Sequence, residues 1–279
     1  MEITKENYYS DEIAKEYMSF HRWLSLHGSL GLIPCEARAM AELNGEWKDE
    51  FADDKALMIG SYVDSALVGD EGELEQFKAE HPEIFVSRGA NVGALKAEYQ
   101  LADRMIERCE RDIKFMAYLS GEHQKIFTCE MWGVKWCCRL DNYHKGGWIS
   151  DLKTTKSISQ QFWAGADTGH VSFVEFYGYD YQLALYQEIV YQCTGERLPC
   201  FICAVSKEKH PRIEVIQIPD SALFDALSEI KKSVEYTPLP QVWKGTVRPT
   251  RCDRDSCEYC ADTKQIMQPI DYRDICTNF

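Results

Sequence analysis

The sequence predicts an α/β fold with a helical N-terminal portion, on three observations. Apolar residues recur at helical spacing through much of the first 120 positions. Between residues 125 and 155 the period drops to two, in short runs separated by glycine. Beyond these runs, a long helix-like stretch precedes two further strand-like segments and another helix.

Each element has its own signal. Residues 11–30 mix apolar and polar side chains at helical spacing. Residues 34–45 read as a helix, with Pro34 at its start and Gly45 just past its end. Residues 53–68 form another, with Ala56, Leu57, Ile59, Val63, Ala66 and Leu67 on an apolar face. The acidic stretch 69–90 reads as a loop, and 91–119 as one long amphipathic helix. Strands are expected at 125–132, 134–141 and 148–155, with turns at Gly133 and at Lys145, Gly146 and Gly147. Such short connections imply antiparallel neighbours. A helix follows at 173–193, strands at 199–206 and 213–218, and a helix at 220–235. The tail from 237 reads as a Cys-bearing loop.

The 279 residues carry a formal net charge of −14, from 31 Lys and Arg against 45 Asp and Glu. That balance excludes a simple basic nucleic-acid binder, whose affinity comes from neutralising phosphates. It leaves room for an enzyme that reaches phosphate through a bound cation. Residues 1–120 hold 13 basic and 24 acidic side chains, and residues 121–279 hold 18 and 21. The acid is thus concentrated in the first part, which is expected to face away from any DNA. No apolar run approaches the ~18–20 residues that cross a bilayer, and no basic segment followed by an apolar run opens the sequence. The expected location is the cytoplasm, with no membrane contact. There the twelve cysteines should be core thiols or ligands rather than disulfides. Cys137, Cys138, Cys193, Cys200 and Cys203 lie in apolar stretches and read as core.

The richest segment runs from Arg139-Leu140-Asp141 to Asp151-Leu152-Lys153. Residues 151 and 153 share one face of a strand, and the hairpin brings Asp141 beside them. Two converging carboxylates suit Mg²⁺ or Mn²⁺, and a neighbouring lysine suits charge developing on a phosphorus centre. The tripeptide alone equally describes a surface ion pair. Gln182 and Tyr186, four apart, share one helix face.

Taken together, these residues resemble the PD-(D/E)XK nuclease superfamily, and most closely its phage and prophage RecE-like exonucleases (exonuclease VIII), relatives of lambda exonuclease. Gly60-Ser61-Tyr62-Val63-Asp64 resembles the G-x-x-x-H motif, with Asp64 where the family commonly has His. Asp141, then Asp151-Leu152-Lys153-Thr154-Thr155, match the acid and the (D/E)-x-K core. Gln182-Leu183-Ala184-Leu185-Tyr186 matches Q-x-x-x-Y. Tyr17-Met18-Ser19-Phe20 and the surroundings of Cys35-Glu36 add to the likeness, which spans roughly 8–264.

The resemblance implies a restriction-endonuclease-like core, a central mixed β-sheet flanked by helices. It implies one nuclease domain over 1–279: a helical portion (1–120), the PD-(D/E)XK core (121–236) and a Cys-bearing tail (237–279). It further implies Asp64, Asp141, Asp151 and the Leu152 carbonyl as ligands of Mg²⁺ or Mn²⁺, with Lys153, Gln182 and Tyr186 completing the catalytic set. Glu130 is an additional acid near that set or an ordinary solvated charge. The activity implied is 5′→3′ degradation of linear duplex DNA from its ends, handing single strands to a RecT-like annealing partner. Relatives form rings around DNA, so a homo-oligomeric ring is implied as well. The alternatives are another nuclease of the superfamily, endonuclease or CRISPR-adaptation type, and a DNA-binding module whose site has decayed.

Cys252, Cys257 and Cys260 follow a C-x₄-C-x₂-C spacing, three thiols that need a fourth ligand. Cys35 and Cys276 are the candidates. Cys35 with the three tail cysteines is similar to the layout of superfamily members that carry a [4Fe–4S] cluster, and Zn²⁺ is the other occupant such thiols suit. Lys244, Arg248, Arg251 and Arg254 beside them are candidate DNA contacts, or a solvated basic loop.

Overall fold

In a computed structural model, which describes residues 2–52, 54–266, 268–269 and 271, five strands form one mixed sheet. The strands are β1 (Glu122–Met131), β2 (Val134–His144), β3 (Trp148–Thr155), β6 (Cys200–Ser206) and β7 (Ile213–Ile218), in the order β1-β2-β3-β6-β7. All neighbours are antiparallel except β3 and β6. The β1–β2 turn has Trp132 and Gly133 both at positive φ, the conformation of a tight two-residue hairpin. A second hairpin, β4 (Phe162–Trp163) with β5 (His170–Val171), lies between β3 and β6 in sequence.

Helices cover both faces. On one face lie α2 (Phe20–His27), α9 (Tyr179–Thr194), α10 (Asp220–Tyr236) and α11 (Leu239–Trp243). Their core includes Trp23, Trp136, Leu183, Ile189, Ile202 and Ile230. Trp23 Nε1 donates to Ser233 Oγ at 2.8 Å, so the indole is buried with its donor satisfied. On the other face lie α4 (Lys55–Leu67), α6 (Ala97–Glu110) and α7 (Ile113–Tyr118), with Tyr62, Val63, Met105, Phe115, Leu152 and Cys203 packed together. Alternation along β3 and β6 sorts neighbouring residues into these two cores: Ile149 and Ile202 into the first, Leu152 and Cys203 into the second. Truncating a fully buried residue such as Trp136 to Ala should destabilise the fold by about 3–5 kcal/mol.

Several expectations are corrected. The segment 11–30 is two helices, α1 (Asp11–Glu16) and α2, because Tyr17–Ser19 turns aside to meet the sheet. There Met18 N–H donates to the Lys135 carbonyl at 2.8 Å. The acidic stretch 69–90 contains a helix, α5 (Glu73–Glu80), none of whose residues is buried, so apolar periodicity gave no sign of it. The stretch 91–119 is α6 and α7, not one helix; the Asp112 side chain caps the second by accepting from Phe115 N–H. Gly178, at φ 72°, separates α8 (Phe173–Tyr177) from α9. The tail holds α11 and α12 (Glu258–Asp262). No helix of the described residues is long and apolar enough to cross a membrane. Four of the five cysteines assigned to the core are buried, but Cys193, near the end of α9, is exposed.

Candidate active site and metal centre

Asp141 stands where the sheet's hydrogen bonding gives out. On the β1 side, His123 pairs with Asn142 and Lys125 with Leu140, but Gln124 between them sits at φ 56°, a strained value for a side chain that is not glycine. On the β3 side the ladder runs from His144 and Trp148 only as far as Asn142 and Ser150. Beyond that point the strands part, and Asp141 Oδ2 accepts the Leu152 N–H at 2.8 Å across the opening. The N–H and C=O of a strand residue leave on the same edge, so the Leu152 carbonyl faces this opening too.

Leu152 points its side chain into the α4/α6 core, so Asp151 and Lys153 present theirs to the opposite face, beneath α9. Asp151 is 3% exposed. Its Oδ2 forms an ion pair with Lys153 Nζ but makes no well-directed hydrogen bond. Burial pushes the Asp151 carboxyl up to about 7, with Lys153 opposing and Asp141 adding to the rise. Burial disfavours the Lys153 ammonium, but Asp151 and Asp141 outweigh it and hold the lysine firmly charged. That ammonium also lies 4.8 Å from the centroid of the Tyr179 ring.

Asp64 approaches from α4, which packs against β3. Four residues earlier, at Gly60, an added Cβ would sit 3.6 Å from Thr154 Oγ1, so the helix lies close over the strand. Burial raises the Asp64 carboxyl well above the ordinary range, reinforced by Asp141 and Asp151 and opposed by Lys153 and Arg139. Three acids that lie close enough to feel one another, Asp151 buried and Asp64 and Asp141 partly exposed, with the Leu152 carbonyl on the same edge, are a donor set suited to a hard divalent cation. Their oxygens do not all fall within 4.8 Å of one another; Lys153 takes up the Asp151 charge instead.

Gln182 and Tyr186 are both buried, and Gln182 Nε2 donates to Tyr186 Oη at 3.0 Å. Asp151 lies close enough to Tyr186 to disfavour ionisation of its phenol, which burial already suppresses. Outward, the site opens on a cleft of about 610 Å³ whose lining includes Asp64, Lys153, Lys156, Lys207, Phe162 and Tyr177. The wall is thus locally basic in a strongly acidic protein. It is also built partly from α4. The acidic first part of the chain therefore contributes Asp64 directly to the cleft lining.

A family profile, the PDDEXK-like domain of unknown function DUF3799, matches residues 17–263. The chain belongs to the DUF3799 family of PDDEXK-like domains. The crystal structure of a protein from Eubacterium rectale, provisionally described as an exonuclease, is 42% identical over the whole of both chains, with a TM-score of 0.90. No match is found among curated proteins. The mixed sheet with helices on both faces is the PDDEXK-like nuclease fold, and both likenesses support a hydrolytic nuclease.

The DUF3799 chain carries a second cluster of ligand-type residues. Cys35, Cys252, Cys257 and Cys260 converge so that all four sulfurs lie within 4.8 Å of one another, an arrangement compatible with a metal site. Among the described residues no other group of three or more His, Cys, Asp or Glu is so close. Cys276 lies outside the described residues. Of the basic tail residues, Arg248, Arg251 and Arg254 line one cleft together with Lys264. Lys244 is not part of it: its Nζ reaches the Gly133 carbonyl at the β1–β2 turn, 3.5 Å away. Arg251 is already engaged by Asp253, Thr263 and the Cys260 carbonyl. Glu130 is exposed near that same turn, opposite Lys135 and far along the strands from Asp141.

Site residues missed in the sequence include Tyr179, which supports Lys153, and Lys156 and Lys207 in the cleft wall. Tyr179 lies three positions before Gln182, a spacing that could have flagged it. Lys207 closes the site from beyond β6 and has no local signal.

Proposed function

We propose that this protein is a divalent-metal-dependent DNA exonuclease that degrades linear duplex from its ends, with the whole chain acting as one nuclease domain. The observation that carries the reading is the convergence of Asp64, Asp141 and the Asp151–Lys153 pair at the opening between β2 and β3, with the Leu152 carbonyl on the same edge. These groups would hold Mg²⁺ or Mn²⁺, which when bound polarises a phosphate and lowers the pKa of water. Lys153 places a fixed positive charge beside the reacting phosphate. The Gln182–Tyr186 pair on α9 would hold the attacking water or the DNA backbone near the cleavage point. Lys156 and Lys207 offer contacts for the DNA backbone in the cleft wall.

Resemblance to the RecE-like enzymes supports 5′→3′ polarity, a RecT-like annealing partner and assembly as a ring around DNA. The complete acid and lysine set speaks against a decayed binding module.

The test uses linear duplex labelled at its 5′ or 3′ ends, with closed circular duplex alongside, with and without Mg²⁺. Loss of the 5′ label from linear DNA alone, only with metal, is expected. Nicking of circular DNA would give an endonuclease instead. Wild-type rates in both Asp151→Ala and Lys153→Ala would overturn the site.

A further inference from the structure

The cysteine cluster is not used by the nuclease reading, and its geometry discriminates between occupants. Cys35 and Cys260 sulfurs lie 3.7 Å apart, and Cys252 and Cys260 sulfurs 3.8 Å apart. One tetrahedral ion with bonds of ~2.3 Å holds its four sulfurs ~3.8 Å from one another. A four-iron cubane binds each cysteine through a different iron, which spreads the ligand sulfurs to roughly 6 Å. All four sulfurs fit inside 4.8 Å, so there is room for one ion at their centre and none for a cubane.

The surroundings fit a thiolate centre. Backbone N–H groups of Arg38 and Cys252 point at Cys35 Sγ, and that of Cys260 points at Cys257 Sγ. Such donors orient ligand sulfurs and spread their charge. Four thiolates around a dication leave two negative charges. Arg38 lies close enough to feel Cys257, and Arg251 to feel Cys260. The apolar cluster here is small, Cys35, Ala37, Cys257 and Cys260 with Cys252 and Tyr259 against it, and the other ties to the tail are polar, such as Arg38–Glu258 and Trp47–Asp262. A patch that small is a place where a metal supplies folding energy.

We propose that Cys35, Cys252, Cys257 and Cys260 bind a single Zn²⁺ as a tetrahedral tetrathiolate, fastening the C-terminal tail to the start of α3 (Glu36–Leu43). Zinc is chosen over a lone iron because an all-thiolate site binds Zn²⁺ above Fe²⁺ in the usual affinity order. The centre is structural, since all four positions are filled by protein. It holds in place the loop whose Arg248, Arg254 and Lys264 line the basic cleft.

The test uses the full chain, expressed with both iron and zinc supplied and purified without oxygen. Elemental analysis should find about one zinc per chain, negligible iron and no acid-labile sulfide. Exchange with Co²⁺ should give the visible bands of a tetrahedral tetrathiolate. Cys260→Ser and Cys35→Ser should each lower the zinc content at least fivefold. They should also expose the tail to limited proteolysis while circular dichroism of the sheet persists. Brown protein with iron and sulfide, a single bound iron, or metal-free colourless protein would each overturn the proposal. If the serine variants fail to fold, the cobalt spectrum of the wild-type chain still decides it. None of these readouts depends on nuclease activity.

Discussion

The Leu152 N–H reaches Asp141 Oδ2, not a β2 carbonyl, so one carboxylate both bridges the parted strands and faces the site. The two roles can be separated. Asp141→Asn keeps an acceptor oxygen for the Leu152 N–H and removes the charge. Its thermal midpoint should stay within a few degrees of wild type, while cleavage falls by about 10³-fold, the scale of losing one electrostatic stabiliser. Asp141→Ala removes the acceptor as well and should lose roughly 1–3 kcal/mol of stability in addition. Equal destabilisation by both variants, measured by denaturant titration, would contradict this division.

Asp64 predicts a pH dependence of stability. Burial, with Asp141 and Asp151 nearby, raises its carboxyl above the unfolded value of ~3.9. Across the interval between those values the folded, metal-free protein holds a proton that the unfolded chain has released. Stability therefore falls as pH rises from about 4 towards the raised value, and levels off above it. Asp64→Asn should flatten that slope and stabilise chelator-treated protein at pH 8 by roughly 1–2 kcal/mol. Added Mg²⁺ should restore stability to the wild type far more than to the variant. Thermal scans from pH 4 to 8, with and without metal, check all three outcomes.

How much of this was visible beforehand follows from the range of each interaction. The three site strands announced themselves by alternation and by Gly133, and the candidate site residues by motif order along the chain. What alternation could not show is that β2 and β3 stop pairing at Asn142 and Ser150, because both strands keep their alternation on through Asp141 and Asp151. The helix α5 buries nothing and so leaves no apolar stripe. The strands β4 and β5 are two residues each, too short for any period. Three of the four clustered thiols share one short motif, but Cys35 joins them only through the tertiary fold, and likeness to other proteins was the sole hint of it.

Gln182 and Tyr186 offer a third test. Tyr186→Phe removes the acceptor for Gln182 Nε2 in a buried place, which should destabilise by about 1–2 kcal/mol. Burial and Asp151 keep the phenol protonated, so in the proposed reaction it would act as a hydrogen-bonding group. The variant should slow cleavage by roughly 10-fold without moving the pH profile between 6 and 9. A shifted alkaline limb would instead make Tyr186 a titrating acid. Rate profiles on end-labelled duplex distinguish the two.

Trp163 stands 60% exposed on β4, edge-on to His170 across the hairpin and next in sequence to Phe162, which lines the cleft with Tyr177. Beyond its contact with His170 the indole is open to solvent, and a base freed from a duplex end gains from stacking on an aromatic face. The hairpin would then grip the frayed end beside the cleft that Asp64 and Lys153 line. Trp163→Ala should weaken binding of a single-stranded overhang by about 1–3 kcal/mol, the worth of one stacked base. Fully paired duplex should be bound almost as well as before. In steady state the loss should fall on KM with kcat little changed, since the ring touches no reacting atom. Fluorescence anisotropy with overhang and blunt DNA provides the comparison, and an equal loss on both would show that the ring packs against the backbone rather than a base.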